Sequence, residues 1–293
     1  MIKQNKTVQL SMRLQTLADM VPVGKTVADV GCDHGFLDIF LVQTGKTESA
    51  IAMDVRKGPL SAAALHVTEA GLEDRIETRL SDGLSKLRPG EVQGLVCAGM
   101  GGPLMQEILT AYPEKTASLQ WMLLQPQSEI REFRRFLREK GYRVLQERIV
   151  KEDGKFYFPM LVSPGAETGS AAADLDLLDL YDRFGERLIR EKNPVLGEYL
   201  EQQERILGEI LRNLQQAGQQ NPEKESRETK KPQEESPEKA HTEKESPEKV
   251  HSEENPKEEN PKEENPEKKR LEIRFREVLA ELKAVQTTIG LLR

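Results

Sequence analysis

The sequence predicts an α/β protein in which a doubly wound, mostly parallel sheet is followed by a helical C-terminal region closing as an antiparallel coiled coil. Three observations predict it. Short apolar runs alternate with amphipathic segments between Val27 and Leu137. After Ser163-Pro164-Gly165 the pattern turns purely helical. Two apolar stripes of similar length, 196–214 and 271–292, flank a stretch almost devoid of apolar residues.

Ser11 is placed to cap a first helix, which carries Leu14, Leu17, Ala18 and Val21 on one face and is closed by Pro22. Strands are expected at 27–30, 50–53, 76–80, 95–98 and 121–124, with helices around 36–44, 59–70, 103–111 and 128–140. Two further runs, 143–150 and 156–162, are separated by Glu152-Asp153-Gly154-Lys155 and are expected to close the sheet as an antiparallel hairpin. Asn193-Pro194 opens a helix with Leu196, Leu200, Gln203, Leu207, Ile210 and Leu214 on one stripe. Leu271, Phe275, Val278, Leu282, Val285, Ile289 and Leu292 then step by 4 and 3 without a break, a heptad seam. Both stripes span about 30 Å at the helical rise, which matches them for antiparallel packing. The expected divisions are 1–163, 164–220, 221–270 and 271–293.

Of 293 residues, 37% are apolar and 32% charged, unevenly spread. From Asn221 to Arg270 only Ala240 and Val250 are apolar, against 16 Glu, 12 Lys or Arg and seven Pro. Such a composition cannot bury enough surface to offset chain entropy, so disorder is expected there. That stretch contributes −4 to a net charge of −7. Overall charge therefore does not announce a nucleic-acid partner, and any RNA contact must use a local patch. No apolar h-region opens the chain and no run of eighteen apolar residues occurs, so a cytoplasmic protein without membrane spans is expected. Cys32 and Cys97 lack metal-ligand spacing, and no metal is expected.

The first strand ends in Asp29-Val30-Gly31-Cys32-Asp33-His34-Gly35. A dinucleotide would need G-x-G-x-x-G, which is missing, and Asp29 and Asp33 would repel a pyrophosphate. S-adenosylmethionine reverses the argument, because it has no phosphate and brings a sulfonium and an ammonium. Asp54, ending the second strand, is placed to accept both ribose hydroxyls, and Asp82 after the third could bind the adenine amino group. Gly31, Gly35 and Gly83 let backbone approach the ligand. At the end of the fourth strand, Cys97-Ala98-Gly99-Met100-Gly101-Gly102 offers no side chain able to act as a base. A nucleophile with a free lone pair, such as adenine N1, needs none. Alternatively, the glycines there let a helix start close to the sheet.

In order, "LSMRLQTLADMVPVGKTVADVGCDHGFL", "AMDVRKGPL", "SDGL", "AGMGG", "LLQPQ" and "REKGYRV" resemble the bacterial tRNA (adenine(22)-N(1))-methyltransferases, from about Leu10 to Val162. The chain departs from that pattern at Asp38 (usually proline), Gln127 (often asparagine) and Phe158 (where an acid is expected). The resemblance implies a Rossmann-like class I methyltransferase domain, S-adenosylmethionine as cofactor and tRNA as partner; the sequence does not fix the oligomeric state, and a monomer is the expectation. Asp33, His34 and Phe36 are the candidate catalytic residues, with Phe36 stacking on an adenine turned out of its helix. His34 could equally serve only to fix the turn. The candidate cofactor residues are Asp29, Gly31, Cys32, Asp33, Gly35, Asp54, Val55, Asp82, Gly83, Gly99 and Met100. Arg131, Arg135 and Arg138, on one face of the helix at 128–140, are candidates for gripping tRNA phosphate, with Gln125 also facing the substrate; a solvated helix face is the plain alternative. A small-molecule methyltransferase and an inactive RNA-binding scaffold are the rival functions.

Overall fold

The computed structural model describes residues 7–165, 174–219 and 266–293. Ser11 caps α1 (Met12–Met20) by accepting from the Leu14 amide. Then come β1 (Gly24–Val30), α2 (Phe36–Gln43), β2 (Thr47–Asp54), α3 (Lys57–Ala70), β3 (Ile76–Leu80), β4 (Gly94–Met100), α4 (Gly102–Ala111), the short α5 (Pro113–Ala117), β5 (Trp121–Pro126) and α6 (Ile130–Glu139). The rest of the first compact unit carries β6 (Arg143–Glu147), β7 (Val150–Glu152), β8 (Lys155–Tyr157), β9 (Met160–Ser163), α7 (Leu175–Phe184) and α8 (Glu186–Arg190). The last elements are α9 (Pro194–Gln219) and α10 (Pro266–Leu292).

Seven strands form one sheet in the order β3-β2-β1-β4-β5-β9-β6, with β1 to β5 parallel and β9 antiparallel to both neighbours. Period-two alternation sorts its side chains to two faces. Val27, Ala50, Ala52 and Val96 face α1, α2 and α3, while Ala28, Ile51, Met53 and Leu95 face α4 and α6. Strand order reverses between β1 and β4, which opens a crevice at the carboxyl ends, where such sheets bind ligands.

One expectation is corrected at the hairpin. Only β6 and β9 join the sheet; β7 and β8 leave it as a separate two-stranded ribbon around Asp153-Gly154. Pro159 has no amide to give a ladder, and its carbonyl instead takes the Arg148 amide at 3.0 Å, where the chain turns out of the sheet. The ribbon packs against the start of α9: Tyr199 meets Phe156 and Phe158 edge-on, each at 5.3 Å. Phe158, where an acid was expected, is buried in that contact and lies under the Arg134 guanidinium.

The chain divides into two compact units, Met1–Gln202 with Gln286–Arg293, and Gln203–Val285. In the second unit Leu207, Val278 and Val285 are buried. A β-carbon on Gly218 of α9 would stand 3.5 Å from Leu271 of α10, so the helix ends that flank the charged stretch are neighbours, as antiparallel pairing requires. Helix α10 begins at Pro266, earlier than expected, with proline at the start of a helix, where its missing amide costs nothing. The remainder of the charged stretch lies outside the described residues.

Candidate active site

Strand ends from β1 to β5 border a cavity of about 530 Å³, within the range of sites for cofactor-sized ligands. The turn after β1 is its floor. Gly31 and Cys32 both donate to the Met53 carbonyl, at 2.8 and 3.0 Å, which ties the turn to β2. Gly31 has φ +77°, a left-handed conformation that favours glycine, and Met100 Cε, the flexible tip of that side chain, would stand 2.2 Å from a β-carbon there. Asp33 also adopts a left-handed conformation, with φ +51°, unusual for a side-chain-bearing residue and a form of strain that collects at functional sites. Its carboxylate stands 3.8 Å from His34 Nε2 at the exposed rim.

The rim continues as an aromatic group. Phe36 stacks on His66 of α3 at 4.6 Å, and His66 Nδ1 meets the His34 carbonyl at 3.0 Å. At the next strand end Asp54 is buried; its Oδ1 accepts from the Arg56 amide at 2.7 Å. Asp82 and Gly83 follow β3, in a turn supported by the buried Lys115, whose Nζ donates to the carbonyls of Leu84 and Ser85. Gly99 and Met100 border the cavity at the end of β4. Gly102 fits the packing alternative, since a β-carbon there would stand 2.8 Å from the Ser128 carbonyl.

Electrostatically the cavity is dominated by carboxylates. Burial pushes the Asp29 carboxyl up to about 7, against the hydrogen bond from Asp38 and the charge of Arg13. Asp38, fully buried on α2, is raised well above the ordinary carboxylate range by burial and by the facing Asp29 charge. Neither Asp38 oxygen has a donor partner, so the contact with Asp29 becomes a hydrogen bond only when the two carboxyls share a proton. Burial also raises both thiols, Cys97 to about 12, which makes them inert. Among the described residues no cluster of His, Cys, Asp or Glu could hold a metal ion.

Of the expected site residues, Asp29, Gly31, Cys32, Asp33, His34, Phe36, Asp54, Val55, Asp82, Gly83, Gly99 and Met100 all border this one cavity. Three expectations need correction. Gly35 lies behind the turn, where a β-carbon would stand 3.1 Å from that of Ala63, so its glycine serves the packing of α2 on α3. Gln125 is buried and spends its Oε1 on Arg13 at 3.0 Å. Arg131, Arg135 and Arg138 do line one face of α6, but that face meets the carboxylates of α7: Arg131 pairs with Asp179, and Arg135 and Arg138 with Asp182 at 3.6 and 2.6 Å. Their charge secures α7 to the sheet domain. The sequence reading missed Arg13, Arg56, His66 and Gln127; Arg13 is the substantive omission, because its place in the cavity depends on a contact 112 residues away.

A family model described as "Methyltransferase domain" matches residues 10–160. The tRNA (adenine(22)-N(1))-methyltransferase of Bacillus subtilis (strain 168) is 34% identical over 220 residues, which is 74% of this chain and 91% of that one. The chain belongs to the tRNA (adenine(22)-N(1))-methyltransferase family. Solved structures of similar proteins agree. The B. subtilis M1A22 tRNA methyltransferase TrmK superposes with a TM-score of 0.69 at 25% identity, covering 96% of this chain and 99% of that one. A putative tRNA (m1A22) methyltransferase of Streptococcus pneumoniae, in complex with S-adenosyl-L-methionine, is 33% identical, with a TM-score of 0.63 over 70% of this chain and 92% of that one. The strand ends around the cavity are acid-lined, and a further carboxyl, Asp38 of α2, is buried.

Proposed function

We infer that the chain is an enzyme that transfers a methyl group from S-adenosylmethionine to N1 of adenine 22 in tRNA. The observation that carries the reading is a cavity of cofactor size whose strand ends supply Asp29, Asp54 and Asp82 and whose β4 end supplies no base. The donor set fits this cofactor: carboxylates suit a dication-bearing ligand without phosphate, and Asp54 is the buried acceptor a ribose diol needs.

S-adenosylmethionine supplies an electrophilic methyl on its sulfonium. We assign Asp29 and Asp33 to its cationic end, Asp54 and Val55 to the ribose, Asp82 and Gly83 to the adenine ring, and Gly31, Cys32, Gly99 and Met100 to close backbone or side-chain contact. Adenine N1 carries no proton at neutral pH, so the protein positions the base rather than deprotonating it. The transfer leaves the positive charge on the base, and Asp33 at the rim offers a carboxylate to that developing charge. Phe36, backed by His66, presents an aromatic face for the base, which must leave its helix to react. His34 fixes the turn through its carbonyl bond to His66.

The organisation we propose is a methyltransferase domain over 1–163, a first helical part over 164–220, a charged insert and a terminal helix that completes an antiparallel coiled coil. A monomer in the cytoplasm fits this reading. The test is incubation of purified chain with unmodified tRNA and labelled cofactor, followed by primer extension. A label on tRNA with a reverse-transcription stop beside adenine 22 is expected. Methylation at adenine N6, or of small molecules alone, would overturn the assignment.

A further inference from the structure

The end of β4 is glycine-rich, so a polar side chain that reads a base above it comes from a neighbouring strand. Gln127, just past β5, is such a side chain. The register of β4 against β5 shifts between Ala98 and Met100, an irregularity of the kind that re-aims residues beside a site. The Gln127 amide then donates to the Met100 carbonyl at 2.8 Å, which fixes the residue at the end of β4. A β-carbon on Gly99 would stand 3.6 Å from Gln127 Nε2, so the carboxamide lies beside that glycine. Gln127 is exposed and is the one carboxamide bordering the cavity. Among the described residues its side chain makes no hydrogen bond, so both its donor and its acceptor are open to a ligand.

Phe36, beyond the end of β1, and Gln127, beyond the end of β5, flank β4 from opposite sides. Two strand spacings separate those ends by about 10 Å, which leaves room for one purine over the β4 glycines. A base that reacts at N1 turns its pairing edge to the cofactor and keeps its N6 amino group and N7 free. These are a donor and an acceptor side by side, the pair that a glutamine carboxamide matches with Oε1 and Nε2. Guanine presents two acceptors in the same place and would set O6 against Oε1. We propose that Gln127 reads N6 and N7 of the target adenine, which selects that base and holds its N1 toward the cofactor. Arg13 Nη1 also lies near Gly99, 3.8 Å from the same β-carbon position, but it is bonded to Gln125 and its guanidinium offers donors only, which suit guanine. The inference rests on the N1-methylation reading above and adds the residue that chooses the base.

The test compares tRNA carrying adenine at position 22 with tRNA carrying 7-deazaadenine there, in which N7 is replaced by C–H. The kcat/KM for each tRNA is measured with the full chain at saturating S-adenosylmethionine, for wild type, Gln127→Leu and Gln127→Asn. Each protein is judged by its own ratio of the two values, so the intrinsic reactivity of the two bases cancels between proteins. The wild-type ratio should favour adenine about tenfold more than that of Gln127→Leu, the size of one bidentate base contact. Gln127→Asn, which keeps the amide on a shorter stem, should retain part of the preference. All three proteins should bind S-adenosylmethionine equally in calorimetry. The same ratio in wild type and Gln127→Leu would overturn the assignment, and weaker cofactor binding by Gln127→Leu would place the residue on the cofactor instead. Failure of wild type to methylate adenine 22 at all would remove the reaction reading itself, a result distinct from either.

Discussion

Replacing Asp38 by Asn tests the shared proton beneath the cavity. Asp38 and Asp29 are buried against each other, and no donor other than a shared proton satisfies Asp38. Both carboxyls are raised in the folded state, so the native pair retains a proton that the unfolded chain releases above the usual carboxylate range. A raised acid favours folding at low pH, and this contribution is lost as pH rises toward the folded value. Each such proton costs about 1.4 kcal/mol of stability per pH unit. For Asp29 alone, the rise from 3.8 to about 7 amounts to about 4 kcal/mol across the window. Asn keeps the shape and offers a permanent donor to Asp29 but carries no titrating proton. Urea denaturation of wild type and Asp38→Asn between about pH 5 and 6.5 should therefore give slopes of unfolding free energy against pH that differ by one proton, about 1.4 kcal/mol per unit. The variant should be the flatter of the two. Parallel slopes would refute the shared proton.

Asp54→Ala should weaken S-adenosylmethionine binding by about 1–3 kcal/mol, because a charged acceptor and its ribose partners are lost together; calorimetry at wild-type affinity would remove the ribose assignment. Gly185→Ala should destabilise the protein by about 1–3 kcal/mol in denaturant melts, since Gly185 has φ +91° and a β-carbon would stand 2.3 Å from Glu147 Oε2. An unchanged midpoint would mean that the contact relaxes without cost. Exchanging residues 221–265 for a short Gly/Ser linker should leave the melting temperature and methyl transfer nearly unchanged, because loop length enters stability by only about 0.6 kcal/mol per doubling. Loss of tRNA methylation by the shortened chain would make that stretch a working part.

Periodicity made most of the sheet legible, because β1, β2, β4 and β5 each carry a short apolar run, whereas β3 at Ile76–Leu80 is apolar only at its two ends. The acids at three strand ends were legible for the same reason: their positions follow directly from where the strands stop. What sequence spacing could not supply was the partner across the fold. The arginines of α6 form a real stripe, yet nothing local reveals that Asp179 and Asp182 of α7 cover it. Arg13 reads as one cation on an amphipathic helix until Gln125 and Tyr157 are brought beside it. Asp38 is visible in sequence only as a departure from a pattern; that it faces Asp29 emerges once α2 is laid on the sheet.

The β7–β8 ribbon has a further consequence. Three consecutive residues, Phe156, Tyr157 and Phe158, alternate in direction: the outer two meet Tyr199 of α9, and the middle one faces Arg13 of α1. Lys151 and Glu152, on the opposite strand, repeat the division with Glu198 and the Arg13 amide. Two helices separated by nearly the whole methyltransferase domain are thus stapled to the same six-residue hairpin edge, and neither can fray without loosening the other's anchor. They form one cooperative unit of local stability, whose amides should exchange with solvent together.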